Sequence, residues 1–237
     1  MSTYFISDLH LCEQQPLITK RFIQFCQNQA RDARALYILG DFFEYWLGDD
    51  ALDKTAMAAQ KALKALSEHG TEVYFMAGNR DFLLGQAFAE SCGMTILNEP
   101  HTIELNGVQV LLVHGDAECT DDMAYQKVRG MFRDPQWQQN FLKMPIAQRI
   151  EFAQKAREQS QQHTQMAMSE TNEIMDVNTQ AIEDLFIKHP VKTLIHGHTH
   201  RPAIHKHGEN TRIVLGDWHH QISYLKVQED DFQLVGH

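Results

Sequence analysis

The sequence predicts a layered α/β protein whose sheets are interrupted once by a helical segment. Short runs rich in β-branched and aromatic residues alternate with helix-like segments along most of the 237 residues, as in sheets covered by helices. Between about residues 121 and 189 strand signals give way to polar or amphipathic helical segments, and strand signals then return. We therefore expect a single domain over 1–237 that carries a helical insertion at 121–189, called the cap below.

The first half of the sequence predicts strands and helices in alternation. The predicted strands are TYFIS, ALYILG and EVYFMAG. The predicted helices span Leu17 to Gln29, Asp53 to His69, and DFLLGQAFAESCG, where Gly93 ends the helix. HTIEL and VQVLLVHG, joined by the turn signal Asn106-Gly107, predict a β-hairpin.

After the cap, four more strands are predicted in KTLIHG, TRIVLG, ISYLKV and FQLVG. His205 and His207 form an HxH pair beside Lys206 and Gly208, which we interpret as an exposed loop. The order is thus strand core, helical cap, strand core.

The charge and the cysteines exclude some classes of function. The formal charge of -10, from 21 basic and 31 acidic side chains, disfavours general binding to nucleic-acid phosphates. An anionic substrate stays compatible if metal ions supply positive charge. The four cysteines lack CxxC spacing and are expected to be reduced thiols. The start, MSTYFISDLHLC, does not resemble a signal peptide, and no apolar run reaches about 18 residues, so we expect a cytoplasmic protein.

Potential metal ligands follow five of the predicted strands. They are Asp8, His10, Asp41, Asn79, His114, His196 and His198. The ends of neighbouring strands meet at one rim of a sheet, where α/β folds place their sites. This number of mixed nitrogen and oxygen ligands is too large for one tetrahedral zinc and fits two cations that share a carboxylate. Without thiolates, manganese, iron or zinc are the favoured metals.

The last of these ligands lie in LIHGHTHRP, where three histidines alternate. Alternate side chains of an extended chain point the same way, so all three can face one ion. The competing interpretation is a solvated polar loop after a buried strand. We assign His196 and His198 as ligands and His200 as a supporting residue.

Five motifs in this order, DLH, GDFFEYW, GNRDF, HGD and HGHTHR, resemble the signature of the calcineurin-like metallophosphoesterases. The resemblance spans Asp8 to Arg201 and implies an αββα sandwich with two metals at the sheet rim. It implies one metal held by Asp8, His10, Asp41 and His198. The other would be held by Asp41, Asn79, His114 and His196, with Asn79 and His196 also touching the reacting phosphate.

Arg80 stands where many members of this family have a histidine. Arginine remains protonated, so it is a poor general acid but a good bidentate partner for phosphate oxygens. This favours a phosphate leaving group and hence a diphosphate substrate. The alternative is a surface arginine paired with an acid.

GNRDFLLG, TDDMAY, IMDVN, HGHTHRP and VLGDW together resemble one subgroup, the UDP-2,3-diacylglucosamine diphosphatases of lipid A biosynthesis. The resemblance implies hydrolysis of the diphosphate to UMP and 2,3-diacylglucosamine 1-phosphate by water attack on the uridine-side phosphorus, with Mn²⁺. It implies substrate contacts by Asn79, Arg80, Asp122, Ser160 and His196. Thr164 follows Ser160 by one helical turn and is a further candidate. Ala167 stands where the subgroup often has a lysine.

The cap has a composition suited to a lipid-like substrate. From Lys127 to Arg157 seven Lys or Arg residues stand against two Asp or Glu residues, interleaved with aromatic and aliphatic side chains. Such a stretch can rest on an anionic membrane surface or line a groove for acyl chains. Alternatively it buries its apolar side on the main domain. We expect transient peripheral contact with the cytoplasmic face of the inner membrane and no obligate protein partner.

Two other functions remain open. One is a diphosphatase acting on a soluble nucleotide sugar or dinucleotide. The other is a non-catalytic metal-binding interaction module, which we would expect to lose some of its ligands.

Overall fold

The two sheets of the protein pack face to face between helices. The computed structural model describes residues 1–170 and 176–236, with side chains described up to residue 158 and again from 176. Within them, the strands are β1 Thr3–Ile6, β2 Ala35–Leu39, β3 Glu72–Met76, β4 Met94–Leu97, β5 His101–Leu105, β6 Val108–Leu112, β7 Thr193–His196, β8 Ala203–His207, β9 Asn210–Val214, β10 Tyr224–Gln228 and β11 Asp231–Val235. The helices are α1 Pro16–Gln27, α2 Lys54–His69, α3 Gln86–Cys92, α4 Met123–Phe132, α5 Pro135–Leu142, α6 Ile146–Glu170 and α7 Thr179–Lys188, and a short 3-10 helix covers Asp116–Glu118.

The first sheet has the order β11-β10-β1-β2-β3-β4, and the second β5-β6-β7-β9-β8. In the first sheet β1 to β4 are parallel, so their carboxyl ends meet at one edge. In the second sheet β6, β7 and β9 are parallel and likewise share an edge. This is the arrangement that brings strand-end ligands together.

Alternation along β1 shows how the layers form. Tyr4 and Ile6 face the core between the first sheet and α1 to α3, whereas Phe5 faces the core between the two sheets. A third, smaller core packs Leu111 and Leu194 of the second sheet against Ile182 of α7. The layers are therefore helix, sheet, sheet, helix, the predicted αββα sandwich.

Local sequence signals explain most of the helix ends. α1 begins at a proline, and the Asp53 side chain accepts a hydrogen bond from the Ala56 N–H at the start of α2. α2 ends at Gly70, whose φ of 111° is left-handed. Asp122, Asp134 and Asn178 cap α4, α5 and α7 in the same way as Asp53 caps α2.

The structure differs from the sequence prediction at three elements. The third helix begins only at Gln86, because Asp49 accepts hydrogen bonds from the Gly85 and Phe88 N–H groups and holds the preceding segment as a loop. Strand β4 was not predicted. His205 and His207 lie in β8, an edge strand paired with β9, and not in a loop.

The cap packs much of its aromatic surface on the main domain. Phe132 stacks on Phe82 with ring centroids 5.4 Å apart, and Trp137 stacks on the buried Phe141. Other apolar cap side chains stay exposed, among them Met123, Met131, Leu142, Ile146 and Ile150. Part of the apolar surface of the cap is therefore buried on the main domain, and its contact with a lipid stays a prediction. Among the described helices none combines the length and apolar character needed to cross a membrane.

Candidate metal centre

The polar residues that follow the parallel strands converge at one edge of the sandwich. Backbone hydrogen bonds lock the loops together there: Asp8 N–H donates to the Gly40 carbonyl at 3.1 Å, and His10 N–H to that of Asp41 at 3.0 Å. Gly197 N–H donates to the His114 carbonyl at 2.9 Å, joining the loops after β6 and β7. A Cβ at position 197 would collide with Ser7 and Asp8, so only glycine permits this approach.

Left-handed backbone is concentrated at this edge. Five non-glycine residues there have φ between 50° and 68°, namely Asp8, His10, Asp41, His198 and His200. Such conformations are uncommon outside glycine and persist where the surrounding structure enforces them, often at functional sites. The left-handed backbone conformation therefore occurs at residues that carry potential metal-ligand side chains.

The first ligand group consists of Asp8, His10 and His200, whose potential ligand atoms lie within 4.8 Å of one another. His200 Nε2 lies 3.2 Å from Asp8 Oδ1 and 3.3 Å from His10 Nε2. Asp8 Oδ2 accepts a hydrogen bond from the His198 N–H at 2.8 Å. One carboxylate oxygen and two imidazole nitrogens therefore face a common point.

The second ligand group consists of Asp41, His114 and His198, again with potential ligand atoms within 4.8 Å of one another. Asn79 belongs with it, because its Oδ1 lies 3.0 Å from His114 Nε2 and 2.9 Å from His198 Nδ1. Asp41 Oδ1 lies 3.7 Å from His114 Nε2. This group combines two imidazoles, a carboxylate and an amide oxygen.

Asp41 lies between the two groups. Its Oδ1 faces the second group, while its Oδ2 is 3.8 Å from His10 Nε2 of the first. The Arg80 N–H donates to Oδ1 at 2.8 Å and orients the carboxylate. A carboxylate with one oxygen toward each group is the arrangement needed to bridge two cations.

His196 lies outside both groups, which differs from the sequence assignment. It is the last residue of β7 and fully buried, with Nδ1 2.9 Å from the Gly197 carbonyl and Nε2 3.2 Å from the Arg212 guanidinium. Burial and the Arg212 charge lower its pKa to about 3. Because Arg212 can only donate, His196 Nε2 accepts and is occupied by a protein partner. His200, assigned as a supporting residue, takes a place in the first group instead.

Each group has a different set of contacts behind its imidazoles. His10 Nδ1 lies 3.1 Å from Glu44 Oε2, and His200 Nδ1 lies 3.6 Å from Asp217 Oδ2. His114 Nδ1 lies 2.8 Å from the Leu39 carbonyl oxygen. His114 donates its Nδ1 hydrogen to the Leu39 carbonyl, and the carboxylates beside Nδ1 of His10 and His200 favour the same tautomer, which leaves Nε2 toward a cation.

The titratable groups perturb one another strongly. Burial alone would lower the pKa of His114, but the Asp41, Asp116 and Asp8 carboxylates raise it to about 9. Burial and the charge of His114 lower the pKa of His198 to about 4. Burial would raise the pKa of Asp8, yet His200, His114 and His10 hold it well below its usual range. Carboxylates buried this closely together need nearby positive charge, which divalent cations can supply.

Among the remaining predicted residues, Arg80 and Asp122 have side chains that the structure describes. Arg80 is partly buried beside Asn79. The Asp122 side chain accepts the Tyr125 N–H at 2.9 Å as the cap of α4, which is a structural role in this conformation. Ser160 and Thr164 lie on α6 outside the residues whose side chains are described.

Sequence reasoning missed an acidic network beneath the second group. Asp116 accepts hydrogen bonds from the Tyr125 hydroxyl at 2.7 Å and from Arg129 Nε at 2.9 Å, both on α4. Glu99 accepts the His114 N–H at 2.6 Å and also pairs with Arg129. The network fixes the start of the cap to the loop that carries His114. Asp116, two residues after that ligand, was the available signal.

Comparison with known proteins gives consistent matches. The family model described as calcineurin-like phosphoesterase matches residues 1–202. A protein named UDP-2,3-diacylglucosamine hydrolase from Stenotrophomonas maltophilia strain K279a is 50% identical, covering 99% of this chain and 98% of its own. Proteins of the same name from Pseudomonas putida and Serratia proteamaculans are 48% and 46% identical, covering at least 96% of each chain. A solved archaeal phosphodiesterase has a TM-score of 0.51 at 12% identity over 99% of both chains and supports the fold alone.

Proposed function

Because the chain belongs to the calcineurin-like phosphoesterase family, we propose that it is a metal-dependent hydrolase of UDP-2,3-diacylglucosamine in lipid A biosynthesis. The products are UMP and 2,3-diacylglucosamine 1-phosphate. The relatives of that name cover nearly the whole chain at 46 to 50% identity. The observation that carries the proposal is the pair of ligand groups on either side of Asp41.

We assign the ligands from the geometry. Asp8, His10, Asp41 and His200 would hold one cation, and Asp41, Asn79, His114 and His198 the other. This assignment replaces His196 with His198 in the second set and His198 with His200 in the first. The contacts of His196 support it, because its ring nitrogens already face the Gly197 carbonyl and the Arg212 guanidinium.

Two divalent cations in such a centre supply positive charge for the diphosphate and lower the pKa of a water molecule enough for attack near neutral pH. The donor set, without thiolates, fits manganese, iron or zinc, and we propose Mn²⁺ because the resemblance to the subgroup implies it. The chain's own residues orient the substrate. Arg80 follows the ligand Asn79 directly, and its guanidinium is suited to binding the diphosphate oxygens in a bidentate manner. Asn79 offers an amide to the same phosphate.

The cap is proposed to contact the lipid part of the substrate. Its exposed apolar side chains lie on helices that also carry the basic residues between Lys127 and Arg157. An apolar and basic surface of this kind supports transient contact with an anionic membrane surface, which we place at the cytoplasmic face of the inner membrane. Asp122, Ser160 and Thr164 remain proposed substrate contacts on the cap.

The test is to incubate metal-free protein with UDP-2,3-diacylglucosamine, with and without Mn²⁺, and to measure UMP release. We expect release only with the metal, and much slower release from UDP-N-acetylglucosamine, which lacks the two long acyl chains. Equal rates on both substrates would replace the proposal with a soluble nucleotide-sugar diphosphatase. Full metal loading without hydrolysis of any diphosphate would indicate a binding module.

A further inference from the structure

One carboxylate, that of Glu44, connects the first ligand group with the cap. Glu44 lies in the loop after β2, three residues beyond Asp41. Its Oε2 is 3.1 Å from His10 Nδ1, and its Oε1 is 3.2 Å from Arg157 Nε on α6. Only 14% of its side chain is exposed. The same side chain therefore contacts a candidate ligand and a cap residue.

The contact with His10 bears on which nitrogen faces a cation. Because an ionised carboxylate can only accept, this 3.1 Å contact favours the imidazole form with its hydrogen on Nδ1. His10 Nε2 then presents its lone pair toward His200 Nε2, 3.3 Å away, where the ligand atoms of the group gather. Carboxylates behind metal-bound histidines fix the ring orientation and make the ligand more basic.

The contact with Arg157 connects this carboxylate to the cap. A guanidinium close to one carboxylate oxygen leaves the other oxygen for His10 and restricts rotation of the Glu44 side chain. Since Arg157 belongs to α6, this restriction exists only while α6 is seated on the loop after β2. Movement of the cap would release Glu44 and, through it, the ring of His10.

A second ion pair offers a matched comparison. Arg149, one of the buried residues of α6, binds the Asp50 carboxylate and the Leu47 carbonyl of the same loop. None of the described contacts of this pair involves a candidate ligand. Asp50 thus anchors the same helix to the same loop without touching the metal centre.

On the basis of the proposed function, we propose that Glu44 is a positioning residue that orients the His10 ring for cation binding. Through the ion pair between Glu44 and Arg157, the metal affinity depends on the contact of α6 with the loop after β2. The proposal concerns metal binding before any substrate is present. It can therefore fail or succeed independently of the substrate assignment.

The experiment is calorimetric titration of metal-free protein with Mn²⁺ for the wild type and for Glu44→Gln, Arg157→Gln and Asp50→Asn. For Glu44→Gln we expect Mn²⁺ binding about 10- to 100-fold weaker at one of two sites, the usual loss for such a carboxylate. Arg157→Gln should weaken the same site by a smaller factor, and the double variant should bind no more weakly than Glu44→Gln alone. Asp50→Asn should bind Mn²⁺ like the wild type.

Two outcomes would overturn the proposal. If Glu44→Gln binds Mn²⁺ within about twofold of the wild type, Glu44 does not position His10. If Arg157→Gln leaves the affinity unchanged, or Asp50→Asn lowers it equally, the specific link to the cap is wrong. Thermal unfolding in chelator verifies that each variant folds. Should Glu44→Gln fail to fold, Glu44→Asp keeps the charge, shortens the reach by one methylene and is expected to give the same direction. If the variants weaken Mn²⁺ binding as expected but the metal-loaded wild type releases no UMP from UDP-2,3-diacylglucosamine, only the proposed function is contradicted.

Discussion

The two ligand groups use similar side chains but are supported in opposite ways. Behind the first group, Glu44 and Asp217 lie against the imidazoles of His10 and His200. Behind the second, the acids Glu99 and Asp116 bind a backbone N–H and the α4 arginine, while His114 rests on a backbone carbonyl. His200 is 32% exposed on its side chain, and His114 is fully buried. The carboxylates behind the first group therefore contact its imidazole rings directly, whereas those behind the second group bind the backbone and α4, and the His114 ring itself is enclosed.

The largest effect on metal binding and activity is expected from substitution of Asp41, which lies between the two ligand groups. Asp41→Ala removes the one carboxylate that faces both, so we expect loss of both bound cations and a fall in kcat/KM of about 10³ or more, given several kcal/mol of stabilisation by the metals. Metal content by elemental analysis and UMP release provide the measurements. Glu44→Gln, which should weaken one site only, is the control. Retention of one tightly bound cation in Asp41→Ala would show that the groups are independent.

The next comparison separates His200 from His196. His200→Ala should remove one cation and reduce activity about 10²-fold, since a cation ligand and not merely its support is lost. His196→Asn should keep both cations and mainly lower the free energy of unfolding, by about 1–3 kcal/mol, because a buried hydrogen-bonded group is disturbed. Mn²⁺ stoichiometry and thermal unfolding distinguish the two. A normal metal content in His200→Ala would restore the sequence assignment.

The burial of Glu118, near the second group, makes the free energy of unfolding depend on pH. Burial, together with Glu99 and Asp116, raises the pKa of Glu118 to about 7, above its value in the unfolded chain. Protonated Glu118 therefore adds stability that is complete below about pH 4 and is lost as the pH rises through 7. Glu118→Gln should stabilise the fold by about 2–3 kcal/mol at pH 8 and little at pH 4. Urea unfolding at both pH values measures this, and an equal effect at both would contradict it.

The smallest effect is expected at Asp217. Its carboxylate is 3.6 Å from His200 Nδ1, farther than Glu44 is from His10, and its side chain is 24% exposed. Asp217→Asn should therefore weaken Mn²⁺ binding only about two- to fivefold, less than the usual range for a carboxylate behind a ligand. The same calorimetric titration applies. A larger loss of Mn²⁺ affinity in Asp217→Asn than in Glu44→Gln would show that Asp217 contributes more to metal binding than Glu44.

Much of this centre could be predicted because the end of a buried strand is visible in a short stretch of sequence. An apolar run that stops at a carboxylate, amide or imidazole places that residue at the rim, which holds for Asp8, Asp41, Asn79 and His114. The HxHxH segment could not be resolved in this way, because both candidate pairs share the same alternation. The choice depends on where β7 ends, since His196 is still in the strand and His198 and His200 turn out of it with positive φ.

The supporting residues were harder to predict for a different reason. Glu44 and Asp116 lie within three residues of ligands, but many acids do so by chance, and only three-dimensional contact gives them a role. β4 was missed because MTIL is a run of only four residues whose parallel partner is the earlier strand β3, and β8 was missed because AIHKH contains three polar residues. Long-range pairing is information that a local pattern does not contain.

The five left-handed residues at the rim have a consequence for protein engineering. Each adopts a left-handed backbone conformation that non-glycine residues disfavour, at a cost of about 1 kcal/mol or more in folding free energy. The five conformations together therefore lower the stability of the folded chain at this edge. Glycine at such a position relaxes the backbone while deleting the ligand. A screen that selects for thermostability in chelator would therefore tend to enrich inactive variants at these five positions, and a stabilised enzyme should be sought with the metal present throughout selection.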